Sequence, residues 1–123
     1  MRITLLHDQP RDNCILWEFE GFIGVVDYLP YMNDSIQQAM IDDEADYYVI
    51  LNMGWSLSFP SRSFKMIARP LIGAPQNLRK IIIAASNPLA QGLLRLTLGR
   101  EPALQQRLSI GASYDEAVTL LDA

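Results

Sequence analysis

Cysteine and histidine are almost missing from this chain: Cys14 and His7 are the only ones. A lone cysteine excludes an internal disulfide and a four-cysteine zinc site. Any hydrolase triad would have to be built on His7, and any thiolate pair on His7 with Cys14. Positive charge is also scarce. Lys and Arg number 10 against 14 Asp and Glu, a net charge of −4. The chain therefore lacks the basic footprint of a nucleic-acid binder and the polybasic patch of an anionic-membrane binder. Long apolar runs are absent too. Ile81 to Ala85 is the longest, far below the roughly 20 residues of a membrane span. The opening stretch Met1 to Leu6 is interrupted at once by His7 and Asp8, so it is too short for a signal-peptide core. These absences point to a soluble cytoplasmic protein with neither nucleic acid nor membrane as a partner.

What remains is ordinary globular material. The 123 residues suit one domain, and their 50% hydrophobic content suffices for a core. No repeat, low-complexity tract or linker divides them.

The apolar stretch Ile3 to Leu6 predicts an edge strand. Asp8 to Asn13 is a polar cluster around Pro10, a turn signal. In Ile15 to Glu20, Ile15, Trp17 and Phe19 alternate with Leu16, Glu18 and Glu20, a strand with one more polar face. The two strands are close enough to pair as an antiparallel hairpin. Leu29, Met32, Ile36 and Met40 then share one helical face, with Asn33, Asp34 and Gln37 on others. An early start for this helix puts a kink at Pro30. Tyr47 to Asn52 reads as a strand buried on both faces. Ser61 to Ile72 carries Phe64, Ile67, Ala68 and Leu71 at helical spacing and stops at Gly73-Ala74-Pro75. Lys80 to Ala84 is the next buried strand. Asn87 and Pro88 form a cap and first turn for a helix with Leu89, Leu93 and Leu96 on one face, stopped at Gly99. Leu108 to Ile110 is a last short strand. Ser113-Tyr114-Asp115-Glu116 is a capping box that opens a helix with Ala117, Val118, Leu120 and Leu121. After the hairpin, strands and helices alternate. That order predicts an α/β domain with a mixed, mostly parallel sheet of about five strands and about four helices.

This order resembles the sulfate-transporter and anti-sigma-factor-antagonist (STAS) family, the SpoIIAA-like fold. The likeness is carried by Trp17-Glu18-Phe19-Glu20-Gly21 before a helix and by the strand Tyr47 to Asn52. Lys80 to Asn87 and the closing Ser113 to Ala117 extend it. The resemblance implies a non-enzymatic module that regulates by binding protein. In that family a serine of an Asp-Ser-Ser-Gly-type motif is phosphorylated after the central strand. The matching region here is Phe59-Pro60-Ser61-Arg62-Ser63-Phe64, so Ser61 and Ser63 are the implied phosphorylation sites. The aspartate and glycine of the motif are missing, and Ser61 also reads as a plain helix cap.

Little else carries chemistry. Asp42, Asp43, Glu44 and Asp46 are dense in oxygen but lack calcium-loop spacing, and read as a solvated helix end. No glycine-rich phosphate loop is present. Ser86 and Asn87 precede a helix after a parallel strand, which makes them a candidate anion site as well as an ordinary cap. The methionines Met32, Met40, Met53 and Met66 read as gap-filling core. The unusual segment is Gly54 to Pro60, where Trp55, Leu57 and Phe59 alternate with small polar residues. It reads as a lid on the core, as a protein interface that includes Phe64 and serves a partner or a homodimer, or as the wall of a pocket for a small apolar or amphipathic ligand. No catalytic residue, cofactor or metal ligand is assigned. A protein-interaction module is the leading expectation and a ligand binder the alternative.

Overall fold

The computed structural model describes residues 2–6, 13–18, 30, 33–34, 36–37, 45–54, 69, 71–97 and 99–122. They form an α/β domain around one five-stranded sheet, β1 (Arg2–Leu6), β2 (Cys14–Glu18), β3 (Tyr47–Gly54), β4 (Leu78–Ala85) and β5 (Leu108–Gly111). Two helices have bounds among the described residues, α1 (Pro88–Thr97) between β4 and β5 and α2 (Tyr114–Leu120) after β5. The sequence predicts about four. Asn33, Asp34, Ile36 and Gln37, and Arg69, Leu71 and Ile72, are helical at the other two expected places.

β1 runs antiparallel to β2, and β2 through β5 are mutually parallel. The spatial order is the chain order. Parallel crossovers share one hand, so a sheet that always grows in one direction carries its connections on one face. The core shows this. Ile36, Leu71, Ala90 and Leu94 come from the three connections, and all join one cluster with Trp17, Leu51 and Ile83. Register explains the clustering: Trp17, Leu51, Ile83 and Ile110 form one row across four strands, and Ile15, Val49, Ile81 and Leu108 another.

The opposite face is closed by α2. Leu16, Ile50 and Ile82 form a row there and pack with Cys14, Ala84, Ala117 and Leu121. β2 keeps its more polar face on this side, where Glu18 is half-buried. Leu16 is buried, because β2 is an inner strand with apolar material on both sides. Phe19 and Glu20 lie outside the described residues.

Local chemistry sets the element ends. Asn87 Oδ1 accepts from the Leu89 amide at 2.9 Å, and Ser113 Oγ accepts from the Glu116 amide at 3.1 Å. Both caps match the sequence reading. At the far end of α1, the Gly99 amide donates to the Leu94 carbonyl at 3.2 Å. A Cβ on Gly99 would stand 2.6 Å from the Arg95 carbonyl oxygen, so only glycine fits this stop. Lys80 Nζ reaches the carbonyls of Leu120 at 3.3 Å and Leu121 at 2.9 Å, satisfying the end of α2 from β4. Arg79 pairs with Asp46 at 2.9 Å, but both side chains are more than half solvated or nearly so (59% and 50%); such a pair contributes about 0–1 kcal/mol.

Candidate functional site

In open parallel sheets the carboxyl ends of the strands border the ligand crevice. Here that edge carries the row Glu18, Asn52, Ala84 and Gly111. Glu18 and Asn52 are register partners and both are half-buried. Sequence reasoning did not single them out. Their signal was position alone, polar residues at the ends of two otherwise apolar strands. Tyr114 opens α2 on the same face. Burial pushes its phenol above the ordinary range, and the charges of Cys14, Glu18 and Asp115 add to the rise. Tyr114 therefore holds its proton to higher pH than a free phenol does.

Of the sequence-predicted residues, Ser86 and Asn87 sit at the end of β4. Asn87 is buried and its side-chain oxygen is engaged in capping α1. Ser86 is half-buried. Trp55, Leu57, Phe59, Ser61, Ser63 and Phe64 lie outside the described residues, as do His7, Asp42, Asp43 and Glu44. Cys14 is fully buried and belongs to the smaller apolar cluster. Asp46 is exposed beside Arg79. Met53 is core, 1% exposed.

One part of α1 departs from expectation. Leu89, Leu93 and Leu96 do share a helical face, but it is not the face on the sheet. Ala90 and Leu94 are buried, Leu93 lies at the border, and Leu89 and Leu96 remain 69% and 57% exposed. The reason is geometric. Burying Ala90 and Leu94 against the sheet carries Leu89 and Leu96 to the side of the helix. Gly92 is also exposed, and nothing lies within 4 Å of a Cβ built on it. The only charged residue of α1 is Arg95, which is not part of this leucine face.

The register adds a juxtaposition. Gly54, at the end of β3, pairs with Ala85, three residues before α1 begins. The chain thus leaves β3 towards Trp55 from a point beside the start of α1.

No protein-family model, curated protein or solved structure matches this chain. Among the described residues no group of three or more His, Cys, Asp or Glu side chains converges on a common point, and no helix is long and apolar enough to cross a membrane.

Proposed function

We propose that this chain is a non-enzymatic protein-interaction module of the STAS type, and that its partner at the α1 face is a second copy of itself. The observation that carries this reading is the uncharged exposed face of Leu89, Gly92 and Leu96. Exposed leucines cost solubility unless they are used. Their arrangement suits a two-fold pairing. Set antiparallel about the point between Gly92 and Leu93, two copies of α1 bring each Leu89 against the partner's Leu96 and each Leu93 over the partner's Gly92. No like charges are opposed, because Arg95 lies off the face. The patch is small beside the roughly 800 Å² per partner of a standard interface, so the expected dimer is weak unless more surface joins it. Trp55, Leu57, Phe59 and Phe64, the apolar residues that the sequence offers as an interface, are proposed to extend it. The sequential α/β order with an antiparallel first strand supports the family reading.

Sedimentation velocity over a concentration series tests the proposal. The expected result is a monomer–dimer equilibrium that Leu89→Ala with Leu96→Ala shifts to monomer while circular dichroism is unchanged. A wild-type chain that sediments as monomer throughout overturns it.

A further inference from the structure

The second face of the sheet is closed in a different manner from the first. Among the described residues, the buried apolar side chains of the three connections all join the first face. Among them too, the second face is covered by α2, a helix of 7 residues, too short to hold its shape without tertiary support. We infer that α2 is a latched cover that opens as a unit while the rest of the domain stays folded. This reading is independent of self-association.

Three attachments hold the cover. At its start, Ser113 caps the Glu116 amide. In its middle and at its end, Ala117 and Leu121 are buried against the sheet. At its carboxyl end the latch is Lys80. α2 has no basic residue in its own last turn and carries Asp115 and Glu116 in its first. The cation that complements its carboxyl end comes from the sheet, with Lys80 Nζ on two successive carbonyls. Opening α2 removes Ala117 and Leu121, with the packed Tyr114, Val118 and Leu120, from the smaller cluster and, among the described residues, nothing from the larger one. The cost of opening is therefore set locally, and it lies below the cost of global unfolding.

Cys14 makes the motion measurable. It is fully buried and shares the smaller cluster with Ala117 and Leu121. Tyr114, at the head of α2, is near enough for Cys14 to act on its phenol. When α2 lifts, this thiol gains access to solvent.

The test is labelling of Cys14 in the full chain by a small aromatic disulfide under native conditions, beside urea unfolding of the same samples. Lys80→Met should label about tenfold faster than wild type, the scale of a lost charge-assisted hydrogen bond, and in both chains the opening free energy read from labelling should lie well below the unfolding free energy read from urea. Lys80→Arg should restore slow labelling. Amide exchange in the wild-type chain needs no variant: the Ala117 amide, bonded to Ser113 at 3.0 Å, should exchange well ahead of the β4 amides. A Cys14 opening free energy equal to that of global unfolding, or α2 and β4 amides that exchange together, overturns the inference.

Discussion

Asn13 adopts a φ of 60° just before β2, and its carbonyl accepts from the Tyr48 amide at 3.0 Å. Asparagine tolerates this left-handed backbone; a β-branched residue does not. Asn13→Gly should leave the urea midpoint unchanged or raise it, and Asn13→Val should cost about 1–2 kcal/mol. Tyr114 gives a pH signature. Its phenol is raised in the folded chain by burial first, then by Cys14, Glu18 and Asp115. A raised folded value means that the folded state holds this proton more tightly. The contribution is complete below the ordinary phenol pKa of about 10 and is lost as pH climbs through the folded value. Tyr114→Phe should therefore flatten the alkaline decline in stability, read by denaturant unfolding at successive pH values. Neither property was written in the composition. Asn13 stood within a turn signal, but its sign of φ depends on where β2 begins. Tyr114 was visible only as the second letter of a capping box.

The elements were most legible where backbone chemistry is local. Asn87-Pro88 and Ser113 to Glu116 announce helix starts, and both side chains make the expected bonds. Asn87→Ala should cost about 0.5–2 kcal/mol, seen as a lower thermal midpoint with unchanged far-ultraviolet dichroism outside the first turn of α1. The buried strands β3 and β4 were legible because a strand covered on both faces has no polar alternation to hide it. The face of α1 was not. Leucine spacing identifies a stripe, but it does not say which stripe meets the sheet. Ala90 and Leu94 meet it, and Leu89 and Leu96 were left outside. On β2 the more polar face ends in the half-buried Glu18, while Leu16 before it is buried because α2 and the inner position of β2 cover it.

At the scale of the molecule, alternation of strands and helices identified the α/β class and the antiparallel first strand. Strand order was beyond it, because many orders share one alternation. The order found separates the two sheet faces by origin. Among the described residues, one is covered by connections between the strands and the other by the helix that follows the sheet. This separation places the proposed self-association on the first-face layer, at α1, and the proposed opening on the second. The two are separately testable. Lys80→Met should not alter sedimentation, and the leucine pair should not alter the labelling of Cys14.

The sequential sheet also bears on how the chain folds as it is made. Each strand pairs with the strand immediately before it in the chain. None has to wait for a distant, later partner before its first ladder forms. Register partners of neighbouring parallel strands lie 27–34 residues apart, and growth from one end suits a chain that emerges from the ribosome in that order. Assembly can therefore keep pace with synthesis, each new strand finding its template already laid down.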